Sequence, residues 1–281
     1  MSVRTTTRRR QLGSMLRKFR ARKGMTLEEA GGLVGVSKAT VSRYETQAGP
    51  VKWIIVDALC REYGATETER EAVVRLAKDA KQRGWWSSFA DSIPESMNLL
   101  LTLEDEAVRE DHFACVYVPG LLQTRAYSSA LQRANEIPLE PAEIERLVDI
   151  RMKRQDILTR PKPPRLWAIL DESVIRRVVG APETMREQLD RLLEANESPH
   201  ITLQVLPFSK GAHCAALGSF VILGGTESAL DVVYVDFHTG SLFLEQEEEL
   251  ERYRLAFEYL RAQALDMEAS SALIHRVRKE L

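Results

Sequence analysis

Hydroxyl and cationic side chains are concentrated between residues 37 and 43. Ser37 is a favourable residue for the start of a helix, and in such a helix Lys38 and Arg43 would share an exposed face. The Arg43 guanidinium suits a bidentate contact to guanine, and Lys38 suits a second contact to a base or a phosphate. Hydroxyl groups and the first amides of a helix suit phosphate oxygens. The stretch therefore predicts contacts to duplex DNA by Ser37, Lys38, Ala39, Thr40, Ser42 and Arg43.

A second group of polar side chains is spread over residues 123–213. Arg151, Arg154 and Gln155 fall within two turns of one predicted helix, and Glu172 follows a predicted strand. If these groups are buried they need partners, and an internal Arg–Glu network is the simplest interpretation. The alternative is a polar-lined pocket for a small molecule or the tail of a partner protein. Such a pocket would be lined by Gln123, Arg151, Arg154, Gln155, Glu172, Gln188 and His213.

Catalytic and metal-binding patterns are missing from the sequence. Cys60, Cys115 and Cys214 are scattered, and His213 has no second histidine or carboxylate at a ligand spacing. No nucleophile elbow, H-E-x-x-H, G-x-G-x-x-G or P-loop pattern occurs. We therefore expect no catalytic residue, no cofactor and no metal, and a protein that is not an enzyme.

Five helices are expected to position the first group. Apolar residues at helical spacing predict the first helix, and Thr26 with Glu29 predicts a capping box at the start of the second. Ser37 opens the third. The predicted helices cover about 9–23, 26–33, 37–45, 51–63 and 68–83.

The second and third of these helices meet the requirements of a helix-turn-helix. Gly31 supplies a small residue where the helices cross, and Gly35 accepts the left-handed conformation of the turn. Val41 and Tyr44 should pack beneath that turn, and Glu45 should pair within the domain. A generic helical hairpin is the alternative, but it does not require these residues in one register.

Charge is divided unevenly along the chain. Residues 1–64 contain 13 Lys and Arg against 5 Asp and Glu, a net charge of +8. The other 217 residues contain 26 against 36, a net charge of −10. A basic unit can neutralise phosphates, whereas an acidic one is repelled by them. The alternative for Arg8, Arg9 and Arg10 is a solvated basic tail.

Residues 25–45 resemble the helix-turn-helix of the phage-repressor and xenobiotic-response-element family, and the resemblance covers some 55 residues. It implies that the third helix enters the major groove and that two copies bind half-sites about one helical turn apart. No dimer interface is evident in residues 1–64, so we expect the rest of the chain to supply it.

Beyond residue 100 strands and helices interleave. Strands are predicted over 166–170, 201–206, 220–223, 232–237 and 241–244, and helices over 143–159, 182–195, 245–265 and 269–279. We expect an all-α five-helix N-terminal domain (1–66), a helical linker (67–90) and a mixed α/β (α+β) effector and dimerisation domain (91–281). Trp85 and Trp86 should anchor the linker in the second core, and a binding platform for a partner is the alternative.

Several short motifs in this second region occur in one order. They include the stretch Val118–Thr124, the Arg151-x-x-Arg154-Gln155 pattern, the stretch Gln204–Pro207, and Gly211-Ala212-His213. Together they resemble the effector-type domain of WhiJ-like actinobacterial regulators. The resemblance implies an antitoxin-like regulator that is encoded beside a small partner protein.

These observations predict a cytoplasmic, sequence-specific DNA-binding regulator that forms a homodimer. No apolar run approaches the ~18 residues of a membrane span, and the basic first residues lack the apolar segment of a secretory signal. Two alternatives stay open: an antitoxin-like neutraliser of a small protein, and an enzyme on a nucleotide-like molecule with autoregulatory DNA binding.

Overall fold

A computed structural model of the chain describes residues 7–46, 51–79, 93, 95–134, 138–215, 218–225, 231–238 and 240–281. The chain forms two compact units, residues 1–103 and 104–281. The predictions for Trp85, Trp86, the helix end at Arg83 and the side chains of residues 8–10 lie outside the described part. Among the described residues, none of the helices combines the length and apolar character needed to cross a bilayer.

Residues 7–79 of the first unit contain five helices, the number predicted. They are α1 (Thr7–Arg22), α2 (Leu27–Leu33), α3 (Lys38–Thr46), α4 (Trp53–Glu62) and α5 (Glu67–Asp79). The predicted capping box at α2 is confirmed, since Thr26 and Glu29 exchange side-chain and backbone hydrogen bonds. The apolar face of α1 is buried, with Leu16 and Phe19 at its centre.

Helix α5 belongs to this helical unit rather than to a linker that begins at residue 67. Arg22 of α1 donates to Glu69 of α5 at 2.8 Å, and Asp57 of α4 pairs with Arg70 of α5. Val73 of α5 is fully buried. Because these contacts reach back to α1 and α4, residues 67–79 complete the first core.

The boundary between the units falls inside the helix Glu95–Glu106, and beyond it helices and strands interleave. From residue 95 the elements are α6 (Glu95–Glu106), β1 (Arg109–Ala114), α7 (Arg125–Arg133), α8 (Pro141–Arg154), β2 (Arg165–Asp171), α9 (Glu172–Arg176), α10 (Pro182–Ala195), β3 (Ile201–Leu206), β4 (Phe220–Gly224), β5 (Val232–Phe237), β6 (Gly240–Leu244), α11 (Glu247–Gln263) and α12 (Met267–Glu280). Three of these helices, α6, α7 and α9, were not predicted.

The six strands form one mixed sheet in the order β3-β2-β1-β4-β5-β6. Strands β1, β2 and β3 are parallel, and β4, β5 and β6 follow in antiparallel pairing from β1 outward. The predicted fold class, an all-α domain followed by a mixed α/β domain, is confirmed.

The central strand β1 was not predicted. Its sequence begins with Arg109, Glu110, Asp111 and His112, a polar run without the apolar alternation typical of strands. In the structure Glu110 and His112 are buried, and each lies beside the other on one face of the sheet. The strand therefore buries a hydrogen-bonded polar pair together with the apolar residues Phe113 and Ala114.

The two faces of the sheet pack against different helices. On one face, Ala168 and Leu203 lie in a cluster with apolar residues of α7, α10 and α12. On the other face, Ile169 and Ile222 pack with Phe257 of α11. Successive residues of β2 thus enter opposite cores, as expected for a strand covered on both sides.

Candidate functional site

Helix α3 begins at the hydroxyl group predicted to cap it. The backbone N–H of Thr40 donates to Ser37 Oγ at 3.2 Å, and the two hydroxyl oxygens lie 3.0 Å apart. One turn later, Arg43 Nη2 donates to Thr40 Oγ1 at 3.1 Å. Ser37, Thr40 and Arg43 therefore form a continuous line of polar groups along the start of the helix.

The two sides of α3 differ in burial. Lys38, Ala39 and Arg43 are exposed, whereas Val41 and Tyr44 retain only 1% and 4% of their exposure. Thr40 and Ser42 are half-buried. The structure thus places the predicted DNA-contacting side chains outward or at the edge and the predicted packing residues inward.

Glu45 holds the end of α3 against α1. Arg20 donates to it twice, from Nε at 2.6 Å and Nη2 at 2.8 Å, and the hydrogen bond to Glu45 is the main cause of a raised Arg20 pKa. Arg20 also donates from Nη1 to the Met25 carbonyl oxygen at 2.7 Å. The predicted pairing of Glu45 within the domain is confirmed, and it fixes the orientation of the exposed face.

The glycines of the turn have distinct roles. A Cβ atom on Gly31 would lie 2.5 Å from the carbonyl oxygen of Val36, so the helices approach too closely for a larger side chain. Gly35 has φ +70°, in the left-handed region that favours glycine. At Gly32 a Cβ would meet nothing within 4 Å, and the structure gives no reason for a glycine there.

In the second unit, three glutamines fasten the turn formed by residues 118–124. Gln188 accepts from the Thr124 N–H and donates to the Leu122 carbonyl oxygen, both at 2.8 Å. Gln155 donates to the carbonyl oxygens of Gly120 and Gln123 at 2.9 and 2.8 Å. The Gln123 side chain donates to the Val118 carbonyl oxygen at 2.7 Å and accepts from Arg151 at 2.7 Å.

A buried polar cluster lies beneath α8. Arg154 donates to both carboxylate oxygens of Glu104, from Nε at 2.5 Å. On β1, His112 Nε2 lies 2.9 Å from Glu110 Oε2, while Glu110 Oε1 has no hydrogen-bond partner in the described part of the chain. The Arg–Glu network predicted as the simplest interpretation exists, but its carboxylate is Glu104 rather than Glu172.

Burial dominates the protonation of this cluster. It raises the pKa of both Glu104 and Glu110 to about 7, against the opposing charge of Arg154. It lowers the pKa of His112 to about 4. Each shift disfavours the charged form, as expected where water is excluded.

Glu172 and His213 make their contacts elsewhere, near the carboxyl end of β2. Glu172 accepts from the Phe208 N–H at 2.8 Å and from Arg176 at 2.6 Å. The His213 ring packs edge-on to Phe113, with centroids 5.4 Å apart. The seven predicted pocket residues therefore divide into a group of five around residues 118–124 and this separate pair.

Sequence reasoning missed Glu104, Glu110 and His112. The signal for the last two is their alternate spacing, which places both side chains on one face of a strand. Glu104 carries no such signal, because its partner Arg154 lies 50 residues away in the chain.

The first unit has the fold and exposed helix of a DNA-binding domain, and a family model described as a helix-turn-helix domain matches residues 11–73. It is of the type found in regulators of the xenobiotic-response-element class. The chain as a whole belongs to the family defined by a domain of unknown function, DUF5753, whose model matches residues 97–276. No curated protein and no solved structure matches the chain.

Proposed function

We propose that this protein is a sequence-specific transcriptional regulator that reads an operator with α3 as one half of a homodimer. The observation that carries the proposal is the outward position of Lys38 and Arg43 on a helix whose other side is anchored through Val41, Tyr44 and Glu45. A helix held in this way can present side chains to base edges in a defined register. The net charge of +8 on residues 1–64 supports attraction to phosphates.

The base-reading role is tested with Arg43→Ala in the full-length chain. Sites are first selected from a random DNA pool, and binding to the selected site and to random DNA is then measured at fixed salt. Loss of a bidentate guanine contact should cost about 1–3 kcal/mol on the selected site and relax preference at one base pair.

The matched control is Arg61→Ala, which removes an exposed arginine from α4 of the same domain. It should leave the preference at every base pair unchanged. Equal losses for Arg43→Ala on selected and random DNA would refute the base-reading role and leave only phosphate attraction.

The second domain, in this proposal, contributes the dimer contact and receives a signal from a small partner protein or ligand. Its net negative charge disfavours a second DNA-binding surface, and its motifs resemble WhiJ-like, antitoxin-like regulators. It acts as a receiving domain and not as an enzyme. Light scattering of the full-length chain should give twice the monomer mass. A monomer mass in solution together with independent, non-cooperative binding at paired half-sites would refute the dimer.

A further inference from the structure

The two outer edges of the six-stranded sheet differ in how their backbone groups are satisfied. At the β3 edge, the Leu203 N–H donates to Asn196 Oδ1 at 2.9 Å. The Val205 N–H donates to Ser270 Oγ at 2.9 Å, and the Val205 carbonyl oxygen accepts from the Leu265 N–H at 2.9 Å. Groups from the neighbouring helices and loops therefore close this edge, as proteins commonly do to prevent edge-to-edge pairing.

The β6 edge is open in the described part of the chain. Apart from the pairing with β5, the backbone of residues 240–244 forms no hydrogen bond there. The strand contains no proline and no charged residue, and its register with β5 runs without a bulge. Leu242, at its centre, is 49% exposed. Strand β6 thus lacks the features that protect an edge from pairing with another strand.

The hairpin geometry identifies which backbone groups of β6 face outward. Phe237 and Gly240 flank a two-residue loop, and the pair that closes such a loop is hydrogen-bonded. Alternation along the strand then directs the N–H and C=O groups of Ser241 and Phe243 away from β5. The Ser241 hydroxyl donates to Asp236 of β5 at 2.8 Å, which agrees with the close side-chain approach of a non-hydrogen-bonded pair.

These outward groups are complementary to those of a second copy of β6. In antiparallel pairing about a twofold axis at Leu242, Ser241 of each copy faces Phe243 of the other. Each of these two facing pairs exchanges two hydrogen bonds, so every outward N–H and C=O group of the strand is satisfied. The Leu242 backbone, which is bonded to β5, lies on the axis and needs no further partner.

The side chains on the α11 face of the sheet fit the same register. Leu242 and Leu244 lie on that face, because their partners on β5 belong to the apolar cluster that packs with α11. Across the axis, Leu242 meets its own copy. Gly240 leaves a gap beside the ring of Phe237, which is 46% exposed, and this gap faces Leu244 of the second copy. Apolar side chains therefore cover one another across the junction.

Charge favours a second copy and this register. Residues 65–281 carry a net charge of −10, so two copies repel each other over much of that surface, whereas residues 240–244 are uncharged. The two Glu245 residues would lie at opposite ends of the junction, about 20 Å apart, beyond the screening length of about 8 Å. An axis at Phe243 would instead place Glu245 opposite Ser241, in one row with Asp236, where like charges repel.

We propose that β6 pairs antiparallel with β6 of a second copy, about a twofold axis at Leu242, and that the two sheets continue into each other. This inference rests on the homodimer of the proposed function and names the surface that forms it. A strand is the occupant that satisfies the open backbone groups, and the uncharged, self-complementary sequence of β6 supplies that strand.

The first test is light scattering of the full-length chain over a range of concentrations. Leu242→Lys places two ammonium groups side by side at the axis, where like charges oppose pairing. It should raise the dissociation constant of the dimer about 100-fold or more. The matched control is Leu255→Lys, which changes a leucine of α11 that is 58% exposed and should leave the dissociation constant unchanged.

The second test is disulfide formation in a Cys214→Ser background, which removes the exposed native cysteine. The two Leu242 Cα atoms would lie about 4.5 Å apart, as in a non-hydrogen-bonded antiparallel pair, within the range that a disulfide spans. Leu242→Cys should therefore cross-link two copies under mild oxidation. Ser241→Cys is the control, because its two Cα atoms would lie about 8 Å apart, beyond that range.

A dimer with the same dissociation constant in the wild type and in Leu242→Lys overturns the β6 contact and leaves the proposed homodimer intact. So does a dimeric chain in which Leu242→Cys does not cross-link, and its edge is then open to a different partner. If circular dichroism shows that Leu242→Lys does not fold, the cross-linking decides. A wild-type monomer that binds paired half-sites independently refutes the homodimer and the β6 contact together.

Discussion

Replacement of Arg154 by methionine should make the stability of the second unit depend strongly on pH. In the wild type, Arg154 opposes the effect of burial on Glu104 and Glu110, and their pKa values still reach about 7. Without the guanidinium both pKa values must rise further. At pH 7 the loss of one partner of a buried pair should cost about 3–5 kcal/mol.

The sign of the pH effect follows from the direction of these shifts. A carboxyl whose folded pKa lies above its unfolded value of 4.5 stabilises the fold most at low pH and loses that contribution as pH rises to the folded pKa. For the wild type this loss is largely complete by pH 7. In Arg154→Met it continues above pH 7, at up to ~1.4 kcal/mol per pH unit for each carboxyl.

Between pH 7.0 and 8.5 the variant should therefore lose about 1–2 kcal/mol more per ionising carboxyl than the wild type. His112 does not interfere in this window. Its folded pKa of about 4 lies below the unfolded value of 6.5, so its contribution is fully present above pH 6.5 and falls only toward lower pH.

Urea unfolding followed by circular dichroism at constant ionic strength measures these differences. The matched control is Arg278→Met, which breaks the pair with Asp190, a pair whose side chains are 38% and 43% exposed. An exposed pair contributes at most about 1 kcal/mol, and its loss should add no slope above pH 7. If the free energy of unfolding falls equally with pH in Arg154→Met and in the wild type, the pKa values of the two buried carboxyls do not depend on Arg154.

Two further predictions concern packing. Gly31→Val should destabilise α2 and α3 by about 3 kcal/mol or more, because the new side chain would lie 2.5 Å from a backbone oxygen. The control Gly32→Val should be nearly neutral. Hydrogen exchange of α2 and α3 is compared in the two variants, and equal protection would contradict the close approach of the helices at Gly31. Gln188→Leu should cost about 2–3 kcal/mol, since it leaves the Thr124 N–H and a carbonyl oxygen unpaired. The rate of amide hydrogen exchange around residues 118–124 should rise in Gln188→Leu but not in the exposed control Glu187→Leu. Similar rates in both variants would show that Gln188 does not hold the turn of residues 118–124.

The first unit could be predicted from sequence in nearly all respects that bear on DNA binding. The capping box at Thr26, the left-handed Gly35 and the outward Lys38 and Arg43 depend on interactions within a few residues. Helical periodicity then separates the buried side of α3 from the exposed side. Local chemistry and spacing are sufficient for the caps, the turn and the periodicity, whereas the Arg20–Glu45 pair that fixes the orientation of the exposed face joins residues 25 apart in the chain.

In the second unit tertiary structure decided what the sequence alone left open. A charged run became the central strand β1, and the partner of Arg154 proved to be Glu104, 50 residues away. Whether a polar side chain is buried depends on whether a distant group can compensate its lost hydration. That compensation is set by the register of the sheet and the position of α8, neither of which leaves a local pattern in the chain.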